Sequence, residues 1–472
     1  MFQRIEEFRL ENGMRFVVLP VAGVPSVTIH MFVEAGDVDD PPGRPGLAAK
    51  FRGLYLMGPE TIGSKSAEAE AAARRTVEAI SERLDQERLK APDGFSIGAQ
   101  TAEADLQFAL GKLEELGDSQ AFLGIQRQHG FISNAVILAD ASHFQWTLPS
   151  NRTEIWFKLY GEWLQKPAFR GFYRRQDAAK PEASRAGERS EWARHLLDAV
   201  FKDHPYGRLA VETSSGASLQ LSHAKQFLQT NYSANRITVA LVGDVGAKQA
   251  RQFAAQYFGK IPAHGGVESG ERKAALPGEP LRLHKAGRSG AAIGFLRSAH
   301  GDAGDLFFAV LDRLWQTGTE SELFQDLVVT RRLAESVHVE ANLPGGRWES
   351  LFVLYGAAAA RVQVEDLETA LLEVVEEVRV KRVEPARLKQ AVNRMRSSLL
   401  QQFLSSEGAA TLLARTAARR ESARKLGEDL ERLKAMTPES FQQAAQLYLK
   451  PENRIVLVMT PTGPQRQEAG KQ

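Results

Sequence analysis

The side chains best able to do chemistry in this chain are scattered rather than gathered. Its histidines stand at 30, 129, 143, 195, 204, 223, 264, 284, 300 and 338. No two lie three to five residues apart, the spacing that sets two imidazoles on one face of a helix. Cysteine is absent, which excludes disulfides, thiolate nucleophiles and Cys-ligated zinc without assigning a compartment. His204 precedes Pro205 in a turn and His143 lies in an apolar strand, and both read as structural residues. The most informative stretch is Gly46-Leu47-Ala48-Ala49-Lys50-Phe51-Arg52-Gly53, continued by Gly58-Pro59-Glu60-Thr61-Ile62-Gly63-Ser64. Arg52 holds a fixed positive charge and cannot act as a general base.

The elements that would position such groups follow from pattern. At 472 residues the chain has room for two or three domains and a large core. Its 43% apolar and 25% charged residues are ordinary globular values, and its net charge of +2 gives no argument for nucleic acid or an acidic membrane surface. No apolar run approaches the roughly eighteen residues that would span a bilayer. The start, Met1-Phe2-Gln3-Arg4-Ile5-Glu6, lacks the basic-then-apolar order of a signal peptide. The expected location is cytoplasmic, or periplasmic for a mature form whose signal has been removed.

Asn12-Gly13 between apolar runs predicts a hairpin, and Ser26 to Val33 a further strand. Residues 65–118 read as an inserted helical pair, Ala67–Leu89 and about Ala102–Leu116, parted by Pro92-Asp93-Gly94. Strands follow at Asn134–Leu138 and His143–Leu148, then a helix from Ser150 to Gln165. In the second half, strands are expected near 282–297 and 349–357, and helices near 303–316, 319–329, 364–381, 385–403 and 407–434. An amphipathic helix over 218–232 leads into Asn235-Arg236-Ile237 and an apolar strand. Another, from Thr437 to Tyr448, leads into Asn453-Arg454-Ile455 and a second apolar strand. This helix, Asn-Arg-Ile, strand order suggests a duplicated unit of roughly two hundred residues.

Several segments, in order, resemble the pitrilysin/insulinase (inverzincin) family of zinc peptidases. They are Leu10-Glu11-Asn12-Gly13-Met14-Arg15, Val33-Glu34-Ala35-Gly36, Gly46-Leu47-Ala48, Ser133-Asn134-Ala135, Leu148-Pro149-Ser150-Asn151-Arg152, His204-Pro205-Tyr206-Gly207, and Tyr232 to Val245. The family's His-x-x-Glu-His helix supplies two imidazoles for zinc and a carboxylate general base. Here the two His positions are Ala49 and Gly53 and the Glu position is Arg52, and no His between His30 and His129 allows a shifted register to restore them. Glu182 falls on the third ligand's position, with Pro181 beside it; a single carboxylate cannot replace a tetrahedral set, so it reads as an ordinary solvated Glu, with a vestigial ligand as the alternative. The family's Arg and Tyr that hold the substrate carbonyl fall on Val328 and Glu335, and the nearby Arg331 and Arg332 read as surface residues.

The resemblance implies an α+β fold of two homologous halves, each an antiparallel sheet packed with helices. The expected division is 1–260 with the helical insertion about 65–118, a linker at 261–280, and 281–472. It implies no catalytic residue, no metal and no cofactor. It further implies a non-catalytic subunit that pairs with an active zinc peptidase and helps form its peptide chamber, with Asn134, Ala135 and Val136 as the strand that would pair with peptide. The alternatives are a stand-alone peptide-binding or scaffold protein, like the core subunits of respiratory complexes, and an active peptidase with unorthodox ligands.

Overall fold

A computed structural model describes residues 2–90, 96–173, 188–210, 219–264, 279–301, 304–315, 318–319, 321–420 and 422–461. Its strands are β1 (Glu6–Arg9), β2 (Arg15–Pro20), β3 (Ser26–Val33), β4 (Ile132–Ile137), β5 (Ser142–Pro149), β6 (Ile237–Gly243), β7 (Leu281–Ala286), β8 (Gly290–Arg297), β9 (Ala334–Leu343), β10 (Ser350–Ala358) and β11 (Ile455–Thr460). The helices are α1 (Leu47–Leu54), α2 (Ala67–Lys90), α3 (Ile97–Leu116), α4 (Ala121–Gln128), α5 (Thr153–Gln165), α6 (Glu188–Val200), α7 (Leu221–Asn231), α8 (Ala247–Phe258), α9 (Asp305–Trp315), α10 (Glu322–Phe324), α11 (Val364–Val380), α12 (Pro385–Gln401), α13 (Ser406–Arg420), α14 (Lys425–Lys434) and α15 (Pro438–Tyr448). Helix α10 runs on into a π-helical turn, Gln325–Thr330.

The chain forms two compact units. The first comprises Met1–Pro181, Glu212–Ser269 and Gln402–Arg424, and the second Glu182–Val211, Gly270–Gln401 and Lys425–Gln472. The first holds a six-stranded sheet in the order β1-β2-β6-β3-β5-β4, the second a five-stranded sheet in the order β7-β11-β8-β10-β9. Setting β1 aside, each sheet places its five strands in the same spatial order relative to their sequence order. That is the duplication the two Asn-Arg-Ile segments suggest, since they open β6 and β11. An antiparallel sheet was expected in each half, and each is antiparallel but for one parallel pair, which makes both sheets mixed. β2 runs parallel to β6 and β7 parallel to β11, while every other neighbouring pair is antiparallel. Each parallel pair joins the first and last of the five strands, whose long separation along the chain supplies the crossover that parallel pairing needs.

Inner strands buried on both faces explain their apolar runs. In β3 and β6 every residue but Ser26 is buried. Odd-numbered side chains of β3, such as Ile29 and Met31, join the main core of the first unit with Phe16, Phe51, Trp146, Trp156, Tyr160 and Phe258. Even-numbered Phe32 faces the other way, onto Ala409, Ala410, Leu413, Ala414 and Ala417 of α13. The second unit repeats this plan with α6. Tyr355 of β10 stacks on Trp192 at 5.0 Å between ring centroids, while its neighbour Phe352 packs on Phe308 of α9. The single helix expected over 407–434 is therefore two, α13 and α14. They belong to different units, parted where Ser422 Oγ accepts from the Arg424 N–H and donates to Glu7. Strand β9 has no counterpart among the expected elements.

Candidate functional site

Helix α1 carries three of the positions singled out from sequence. Its start is held by a buried carboxylate: Asp40 accepts from the Gly46 N–H at 2.6 Å and the Ala48 N–H at 2.7 Å. Burial pushes the Asp40 carboxyl up to about 8, against the backbone N–H of Ala48, which favours the charged form. Leu47, Ala48, Phe51 and Leu54 face the core, where Phe51 stacks on Tyr232 at 4.9 Å. Ala49 and Gly53 are half-buried and Arg52 is exposed. The cation turned inward on this helix is Lys50, 4% exposed, whose Nζ donates to the Phe172 carbonyl at 3.2 Å and lies 4.8 Å from the Phe172 ring centroid. Sequence reading passed over Lys50, since an isolated lysine on a short helix carries no signal of burial.

Ala49, Arg52 and Gly53 offer neither an imidazole nor a carboxylate. Among the described residues no group of three or more His, Cys, Asp or Glu could hold a metal ion. The residues present at these positions do not fit a zinc ion. Glu182 and Pro181 lie outside the described residues.

Asn134, Ala135 and Val136 lie on β4, the outer strand of its sheet, which pairs only with β5 among the described residues. Asn134 is exposed, Val136 half-buried and Ala135 buried. The Ala135 N–H is turned away from β5 and donates to Asn134 Oδ1 at 2.9 Å. Alternation along an antiparallel strand then gives Ser133, Ala135 and Ile137 the main-chain groups that face the open edge. The Asn134 amide thus occupies one edge donor as a carbonyl of an added strand would. α1 adjoins β4 through the turn Tyr55–Met57: Tyr55 Oη donates to Ser133 Oγ at 3.4 Å, and Ser133 Oγ in turn to Gln126 Oε1 of α4 at 3.4 Å. Burial raises the Tyr55 phenol pKa, while the Ser133 hydroxyl and the positive charge of Arg52 pull it down.

The histidines read as structural have structural partners. His143 Nδ1 meets His30 Nε2 at 2.9 Å, and His30 Nδ1 meets Thr411 Oγ1 of α13 at 3.1 Å. His204 Nδ1 accepts from the Tyr206 N–H at 3.1 Å, with its ring edge-on to Trp348. In the second unit, Val328 lies half-buried in the π-helical turn and Glu335 is exposed at the start of β9, 2.6 Å from Arg288. Arg331 is exposed and pairs with Glu373 at 2.9 Å, and Arg332 is exposed with a left-handed backbone, φ 53°.

Residues 218–395 match the family model described as the peptidase M16 inactive domain. No curated protein matches the chain. Among solved structures, a protease from Helicobacter pylori is similar at 16% identity and a TM-score of 0.68, over 97% of this chain and 99% of that one. A peptidase M16 inactive domain from Pseudomonas fluorescens is similar at 15% identity and 0.68, over 98% and 99%. A chain of complex III2 from Candida albicans, with Inz-5 bound, is similar at 11% identity and 0.65, over 96% and 94%.

Proposed function

We propose that this chain, a pitrilysin-like protein without the catalytic motif, is a non-catalytic subunit that pairs with an active zinc peptidase of the same fold and helps form its peptide chamber. The observation that carries the reading is the contrast on one helix of a retained fold. α1 keeps its Asp40 anchor and its packed face, yet Ala49, Arg52 and Gly53 bring nothing that binds zinc or removes a proton. A fold kept without its chemistry is useful for what it holds, and an open strand edge such as β4 can hold an extended peptide by main-chain hydrogen bonds.

Val328 and Glu335, standing where an Arg and a Tyr would hold a substrate carbonyl, argue against direct help in the partner's chemistry. The contribution is to chamber wall and peptide capture. Co-expression with a homologue bearing an intact His-x-x-Glu-His helix tests this. The expected result is a complex that copurifies and cleaves peptides faster than the active chain alone; an unchanged rate removes the subunit role. A second reading is a scaffold with no peptidase partner. The likeness to a chain of a multisubunit complex favours it, and a protein that ignores the active homologue on gel filtration would support it.

A further inference from the structure

The open edge of β4 and the exposed guanidinium beside it form one surface with a definite electrostatic sign. α1, the turn Tyr55–Met57, α4, β4 and β5 contain no Asp or Glu. Their cations are Lys50, Arg52 and Arg127. Lys50 is buried and donates to a main-chain carbonyl. Arg52 is exposed and has no hydrogen-bond or ion-pair partner among the described residues, whereas guanidinium groups such as Arg74, Arg170, Arg236 and Arg297 are paired. It sits one helical turn before Tyr55, whose hydroxyl touches Ser133 on β4. Among the described residues, an unpaired cation therefore lies on the helix that adjoins a strand edge whose main-chain groups point outward and whose Ala135 amide is covered by the Asn134 side chain.

We propose that this surface selects peptides that end in a free carboxylate. Resting on the peptide-capture reading above, the proposal names the class of peptide. The main chain of the ligand adds to β4, displacing Asn134 Oδ1 from the Ala135 N–H, and its terminal carboxylate takes the Arg52 guanidinium, which can donate two parallel N–H···O bonds. Such a ligand is the newly exposed C-terminal end of a cleaved chain, and among the described residues no carboxylate pairs with Arg52 to compete for it.

Fluorescence anisotropy with two rhodamine-labelled peptide pools, free of Asp and Glu and differing only in a C-terminal acid or amide, tests this on the full chain. The expected result is preference for the acid of about fivefold to tenfold at low salt, falling at high salt and abolished by Arg52→Gln. Arg52 is exposed, so the variant should unfold at the wild-type temperature. Equal binding of acid and amide overturns the carboxylate inference but leaves peptide capture standing. A preference that survives Arg52→Gln overturns the assignment to Arg52. No binding of either pool overturns both.

Discussion

The two sheets share one strand order, but the helix that follows the first inner strand is anchored in opposite ways. In the first unit Asp40 holds the start of α1 by taking backbone N–H groups, and burial pushes its carboxyl up to about 8. In the second, Asp305 opens α9, accepts from the Gly301 N–H at 3.0 Å and meets Arg297 at 2.5 Å and His300 at 3.2 Å. Burial alone would raise the Asp305 pKa as well. The His300 hydrogen bond and the His300 and Arg297 charges outweigh it and hold that carboxyl well below the usual range. Asp40 lies in the loop before α1 and Asp305 is the first residue of α9, so the helix after this strand starts beside a nearly neutral acid in one unit and an ion-paired one in the other. Both units keep an acid that accepts a backbone N–H near the helix start, and the two acids differ in charge.

The largest test of the comparison concerns the helices on the far faces of the sheets. α6 buries a large ring, Trp192, along with Leu196, Leu197 and Val200, whereas α13 lies flat on small residues such as Ala410 and Ala414. Trp192→Ala should cost about 3–5 kcal/mol, read as early exchange of the β10 and β11 amides, with the first unit's amides little changed. Equal loosening of both units would show that the two covers are not independent.

Next come the two anchors. Asp305→Asn strands the buried Arg297 guanidinium and should cost about 2–4 kcal/mol at neutral pH. Asp40→Asn replaces a group already largely protonated there and should cost less than about 1 kcal/mol. Because the Asp40 pKa is raised on folding, its contribution falls as pH rises from about 4 to 8, and Asp40→Asn should flatten that part of the profile. Urea melts across this range would reject the contrast if the two variants lost equal stability.

The smallest effect at neutral pH, one that grows only on acidification, belongs to the His30–His143 pair beneath α13. Burial and neighbouring positive charge lower both, His143 to about 4. The unfolded chain therefore binds more protons below pH about 6.5, and stability should fall on acidification by roughly 1.4 kcal/mol per pH unit per histidine until their folded-state values are reached. His143→Gln should reduce that slope. A profile unchanged by the substitution would leave the pair with no share in acid sensitivity.

Much of this was legible before any coordinates. Asn12-Gly13 joins β1 to β2, and Gly13, at φ 88°, has the left-handed backbone that such a turn takes. Helix α2 lies where its period placed it, and α3 ends at Leu116 as expected but begins at Ile97, before the expected start near Ala102. Strand β9 escaped because its burial is graded rather than alternating: His338 to Leu343 are all half-buried, so no clear period-two pattern marks them. The candidate site was legible as a set of missing groups at Ala49, Arg52 and Gly53. Its positive features were not. Burial of Lys50, the Asp40 anchor and the Asn134 cover over the Ala135 amide all depend on neighbours distant in sequence or on local side-chain geometry.

The residue types along the chain determined the periodicities, the turn chemistry and the loss of a zinc-binding set, because each is a property of neighbours in sequence. Only the tertiary structure decided that β2 and β6, like β7 and β11, run parallel, and that a run of charged helix near the C-terminal end is cut so that α13 closes the first unit and α14 joins the second. Helical propensity extends smoothly through residues 406–434, whereas the alanine face of α13 finds its complement in Val17, Phe32, Ala240 and Val242, residues far away along the chain. Apolar burial is indifferent to sequence distance, so the choice of which sheet a helix covers belongs to packing alone.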